Sequence, residues 1–164
     1  KIERALEEKT SSILREFTEF VETRVQLHRR DRDGGHPAQL GDYDVLAYFA
    51  ESNLILNVEC KDILPAFCRK DDSRIRRKFF GTGEGDNKGY LERVERRADY
   101  LIRNTSAVMH SLGWSSLAGE SCPRIVSLFV SRRPYWWTRF PPVKTDIKFM
   151  TVDMLRDFVR EQAN

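Results

Sequence analysis

Residues 41–62 read GDYDVLAYFAESNLILNVECKD. Two apolar runs, Tyr43 to Phe49 and Leu54 to Val58, flank the polar stretch Ala50-Glu51-Ser52-Asn53. Runs and a turn of these lengths predict a β-hairpin. With the turn centred between Glu51 and Ser52, antiparallel counting puts Asp44 opposite Glu59 and Asp42 opposite Lys61. Directly opposed side chains share a face, with Cβ atoms about 4.5–5.5 Å apart. The two-residue period of a strand adds that Glu59 and Lys61 lie on one face. Charged groups therefore converge on one side of two otherwise apolar strands. Cys60 points the other way by alternation and is expected in the core.

That convergence is costly. Adjacent carboxylates repel, and burying them costs several kcal/mol unless a counter-charge is present. A hard divalent cation relieves both costs, since Mg²⁺ takes oxygen ligands and is usually held by one or two carboxylates, substrate phosphate and water. It lowers the pKa of a bound water and stabilises phosphoryl charge. Lys61 beside it could orient or deprotonate that water, or neutralise developing charge. The alternative is purely structural: an Asp42–Lys61 ion pair with a second pair made by Glu59.

Outward from the hairpin, Ile2, Leu6, Ile13, Phe17 and Phe20 recur at helical spacing and predict a helix over about 2–19. Val21, Thr23, Val25 and Leu27 alternate with charged or polar residues, as in a strand. Residues 29–39, with Gly34-Gly35 and Pro37, read as a loop, and Pro65 as the stop after the hairpin. The apolar period from Lys88 to Leu112 predicts a long helix ending at Gly113. Ile125 to Val130 reads as a buried strand. Val152, Leu155 and Val159 form a last short helix, with Thr151 as a candidate cap. A long helical segment between the third and fourth strands suits a right-handed crossover that makes them parallel. The expected fold is α/β: one domain with a mixed central sheet flanked by helices, in the order αβββαβ.

With Gly41-Asp42-Tyr43-Asp44 ahead of one strand, Val58-Glu59-Cys60-Lys61 on the next, and this element order, the chain resembles the PD-(D/E)xK nucleases of the restriction-endonuclease-like superfamily. The resemblance implies a Mg²⁺-dependent endonuclease, with Mn²⁺ able to substitute, acting on DNA rather than RNA. It implies Asp44 and Glu59 as metal ligands, the Cys60 carbonyl as a further ligand, and Lys61 as the catalytic lysine. Tyr43 stands where the family's proline would be. Many relatives add an acid from the first helix, for which Glu16 and Glu19 are candidates, and Asp42 competes with Asp44. Many also cut as homodimers.

Residues 69–78, RKDDSRIRRK, carry six basic and two acidic side chains. Arg74, Arg76, Arg77 and Lys78, uninterrupted by an acid, are the candidates for phosphate contacts. Lys88, Arg93, Arg96, Arg97 and Arg103 read instead as a solvated helix face balanced by Glu92 and Glu95. The aromatic loop SRRPYWWTRFPP, with Trp136, Trp137 and Phe140, suits packing or a domain contact more than base stacking. Gly81-Thr82-Gly83-Glu84-Gly85 lacks the Lys and Ser/Thr of a phosphate-binding loop and reads as a connector. His28, His36 and His110 have no metal spacing and are expected at the surface.

The 164 residues are 40% hydrophobic and 32% charged, with a net charge of +3. That balance excludes collagen-like and wholly disordered chains, and the net charge is too mild to demand a polyanion. Three cysteines, Cys60, Cys68 and Cys122, cannot all pair internally, and none has zinc-ligand spacing. No apolar run approaches the roughly 20 residues of a membrane span. No secretory signal opens the chain, so a reducing, cytoplasmic setting is the expectation. A first residue of Lys1 reads as a piece of a longer protein, whose missing domains would be partners. The rival reading is a non-catalytic nucleic-acid-binding or protein-interaction module that keeps this fold.

Overall fold

The computed structural model describes residues 2–30, 35–62, 66–81, 89–114, 121–135 and 139–163, the side chains of Ile2 and Glu3 excepted. Gly34, Pro65, Lys88, Trp136, Trp137 and most of the glycine-rich connector (82–85) lie outside these residues.

Helix α1 (Ile2–Leu14) precedes strand β1 (Val21–Val25), and the hairpin strands are β2 (Tyr43–Phe49) and β3 (Leu54–Cys60). A single helical turn, α2 (Leu27–Arg30), lies between β1 and β2. Helices α3 (Arg69–Phe80), α4 (Tyr90–Arg103) and α5 (Thr105–Ser111) lead to β4 (Arg124–Ser131), β5 (Lys148–Thr151) and α6 (Leu155–Ala163). The five strands form one sheet in chain order. The β1/β2 and β2/β3 pairs are antiparallel, and β3/β4 and β4/β5 are parallel. The protein is thus α/β, with a mixed sheet between two helical layers.

The hairpin register is the one counted from the sequence, with Val45 opposite Val58 and Leu46 opposite Asn57. Alternation sorts the side chains into two cores. Ala47, Leu56, Val58, Cys60, Leu128 and Val130 pack against α1 and α6. Leu46, Tyr48 and Ile55 pack on the other face with Leu101 and Val108 of α4 and α5. A third cluster joins Ile75 and Phe79 of α3 to Leu91, Val94 and Phe129. Phe79 anchors it, 4.7 Å from the Phe129 ring and edge-on to Tyr90 at 5.7 Å.

Several boundaries differ from expectation. Helix α1 stops at Leu14 and gives way to a turn, because Ser11 and Leu14 carbonyls take up Arg15, Phe17 and Thr18 N–H groups there. The long helix is broken at Asn104, whose backbone (φ −126°, ψ 27°) is not helical. Thr151 ends the short strand β5 rather than capping α6. His36 is 4% exposed, not superficial: its ring nitrogens meet Tyr100 Oη at 2.7 Å and Ser111 Oγ at 2.8 Å, tying the segment before β2 to α4 and α5. Among the described residues no helix is long and apolar enough to cross a membrane.

Candidate active site at the diverging ends of two strands

The β2/β3 ladder ends at the Val45–Val58 pair, one step before Asp44 and Glu59. Beyond it β3 stays attached to β4, with Lys61 N–H donating to the Val130 carbonyl at 3.0 Å. At Arg24 the β1/β2 pairing is interrupted, and Arg24 has φ 52°, a left-handed backbone uncommon outside glycine. The faces exchange there: Val21 packs with the α1-side core, whereas Val25 and Tyr43 pack with the α4-side core.

Asp44 occupies this divergence. Its carboxylate Oδ2 accepts the Cys60 N–H at 2.8 Å, taking the place of the ladder bond that β2 no longer supplies. A residue's N–H and C=O leave a strand on the same edge, so the Cys60 carbonyl also faces the gap. Asp44 influences groups in both layers, Arg24 and Cys60 on one side and Glu59, Lys61 and Arg97 on the other. Burial, then the neighbouring Glu59 charge, push its carboxyl up to about 7. Burial likewise pushes the Cys60 thiol up, which keeps it an inert core group.

Glu59 is 6% exposed, on the α4 side beside Phe129. A bare carboxylate there would be strongly destabilising. Arg97 of α4, itself 7% exposed, answers it with Nη2 at 2.6 Å from Glu59 Oε2. The guanidinium also donates to the Asp42 carbonyl and to the Arg93 carbonyl, and lies 5.8 Å from the Tyr43 ring centroid. Lys61 Nζ is 3.4 Å from Glu59 Oε1 and 5.4 Å from the Tyr90 ring centroid. The triplet expected from the sequence, Asp44, Glu59 and Lys61, is therefore brought together, with Asp44 Oδ2 and both oxygens of Glu59 already engaged by the protein.

The three further acids are not brought to this place. Glu16 is exposed and holds Arg156 of α6 through both oxygens, at 2.8 and 2.6 Å, which lowers its pKa. Glu19 is exposed in the turn region after α1. Asp42 is exposed and accepts from Gln26 Nε2 at 3.0 Å. The α1 acid on this side is Glu7, bonded to Arg24 at 2.7 Å and close enough to raise the Cys60 thiol further. Glu7 lies within α1, whereas both candidates fall after its end at Leu14. Arg97 does not lie on a solvated face. It sits three residues after Val94 and four before Leu101, on the buried stripe of α4, and that spacing was its sequence signal.

The donor types are those Mg²⁺ or Mn²⁺ takes, carboxylate oxygens of Asp44 and Glu59 and the Cys60 carbonyl, all hard ligands, and a cation would have to displace Lys61 from Glu59 Oε1. The raised Asp44 carboxyl reflects burial first and the Glu59 charge second, opposed by Lys61, the Cys60 N–H and Arg97. Among the described residues no three His, Cys, Asp or Glu side chains gather closely enough to hold a metal by themselves. A cation here would depend on the backbone carbonyl, water and substrate.

A stability test follows from the Asp44 shift. Its carboxyl binds a proton more tightly folded than unfolded, so stability falls as pH rises from about 4 and the penalty is complete above about 7. Asp44→Asn keeps an acceptor for the Cys60 N–H and removes the charge. In chelator at pH 8 it should stabilise the fold by roughly 1–4 kcal/mol, with no gain at pH 4. Denaturant melts at the two pH values check this; a variant less stable at pH 8 marks Asp44 as an ordinary structural acceptor.

No protein-family model, no curated protein and no solved structure matches this chain.

Proposed function

We propose that the chain is a metal-dependent phosphodiesterase acting on nucleic acid, an endonuclease of the PD-(D/E)xK type. The observation that carries this reading is the meeting of Asp44, Glu59 and Lys61 where β2 leaves β3. Asp44, Glu59 and the Cys60 carbonyl would hold Mg²⁺, or Mn²⁺ in its place. When bound, the cation supplies Lewis-acid stabilisation of phosphoryl charge and a more acidic attacking water.

The chain's own residues do the rest. Glu59 is oriented by Arg97, which holds Oε2 and leaves Oε1 to Lys61. Lys61 Nζ, steadied by the Tyr90 ring and by the β4-bound backbone, orients the attacking water and offsets charge on the phosphate. Water adds to phosphorus as the P–O ester bond breaks, leaving a phosphate monoester and a hydroxyl. DNA is preferred over RNA on the resemblance alone.

The engagement of Glu59 by Arg97 favours a second reading, a nucleic-acid-binding module whose acids are structurally neutralised. A plasmid and a short RNA incubated with Mg²⁺, Mn²⁺ or chelator separate the two. Cutting only with metal is the expected result. A folded chain that binds metal yet leaves every substrate intact contradicts the enzyme.

A further inference from the structure

We infer that the outward face of α3 binds the phosphate backbone of a nucleic acid over its full length, by charge rather than by reading bases; this rests on the phosphodiesterase reading above. Arg69, Lys70, Ser73, Arg74, Arg77 and Lys78 line one surface groove of about 680 Å³. Their spacing gives two rows, 69-73-77 and 70-74-78, each stepping one helical turn. At 100° per residue these rows centre opposite Ile75 and Phe79, the buried face of the helix. Asp71 and Asp72 fall at the two borders, where Asp71 Oδ1 meets Arg74 Nη2 at 3.3 Å. Arg76 is exposed beside the Asp72 border and outside the groove, so it leaves the set expected from the sequence, and Arg69 and Lys70 join it.

The partner follows from the chemistry of that face. It holds five cations, one hydroxyl and no apolar side chain. A protein partner gains most of its affinity from a few buried anchors, Trp, Tyr and Arg above all, and this face offers arginines but no aromatic or other apolar side chain to bury. A regular polyanion needs none. From Arg69 to Lys78 the helix rises about 14 Å at 1.5 Å per residue. One strand of duplex carries a phosphate every 3.4 Å or so of axial rise, so about four phosphates fall within the axial length of the five cations. Arginine and lysine serve phosphate and guanine alike, and α3 has no Asn or Gln to pair with adenine, so a comparison of unrelated duplexes decides whether bases are read. The inner face connects this surface to the site: Phe79 packs on Tyr90, and Tyr90 underlies Lys61.

The test is fluorescence anisotropy of the whole chain in chelator, where cutting is blocked, on two DNA duplexes of unrelated sequence, an RNA duplex and an acidic peptide. The two DNA duplexes should bind within about threefold of each other, with log K falling against log salt at a slope of about −4. Lys70→Glu with Arg77→Glu should weaken both at least about tenfold and make the slope shallower by about 2, with unchanged circular dichroism. Phosphate is common to DNA and RNA, and the RNA arm assigns the surface to whichever binds more tightly. Unchanged affinity and slope in the double variant, strong discrimination between the DNA duplexes, or binding of the peptide alone overturns the inference. A Mn²⁺ titration of the same proteins, freed of chelator and without nucleic acid, separates the two claims. Binding lost in the double variant of a chain that takes no Mn²⁺ keeps the surface and removes the hydrolase. Mn²⁺ uptake with unaltered binding does the reverse.

Discussion

Replacing Lys61 with alanine should lower metal-dependent cleavage by about 10²- to 10⁴-fold, the usual loss when a positioned acid–base or charge-stabilising group is removed. The fold should survive. Glu59 keeps its shorter contact, the 2.6 Å pair with Arg97, and Lys61 lies at the mouth of the site with 17% of its side chain exposed. A stability cost of about 1–2 kcal/mol is expected, in line with a lost charged hydrogen bond. Initial rates at saturating Mg²⁺, beside circular dichroism, decide the matter. Parent-like cutting by Lys61→Ala would leave the lysine a structural partner of Glu59 and nothing more.

Arg97→Met should have the opposite profile, a large loss of stability whatever the metal. It leaves the Glu59 carboxylate, 6% exposed beside Phe129, with only the longer Lys61 contact. Breaking a buried pair from one side costs about 3–5 kcal/mol. It also removes the guanidinium's donor to the Asp42 carbonyl. Adding Glu59→Gln should restore much of the loss, because no buried charge is then unmatched, and a double-mutant cycle reads that coupling directly. A loss below about 1 kcal/mol would mean that Glu59 is hydrated rather than buried.

The hairpin was legible because both strands are buried and a one-residue slip would turn every apolar side chain to the wrong layer. Its register, and with it the neighbourhood of Asp44 and Glu59, follows from where Glu51 and Ser52 sit. The parallel β3/β4 pair was legible too, since more than sixty residues of mostly helical chain must return to the sheet. What escaped were features set by tertiary context. Arg97 stands on the apolar stripe of α4, and a charge at such a position makes sense only once its buried partner is known. β5 is four residues long, Lys148–Thr151, too short for a visible alternation, and it exists because β4 offers it an edge. Glu7 became the α1 acid nearest the site because the helix ends at Leu14, so Glu16 and Glu19 belong to the following turn. The left-handed backbone at Arg24, which exchanges the two faces beside Asp44, has no glycine to announce it.

Mn²⁺ soaked into crystals and located by anomalous scattering tests the central claim most directly. The account predicts one peak in the gap between β2 and β3, touching an oxygen of Asp44, Oε1 of Glu59 and the carbonyl of Cys60. Its loss in Asp44→Asn should follow. Full occupancy elsewhere with none in this gap, and Glu59 still clasped by Arg97 and Lys61, would contradict it.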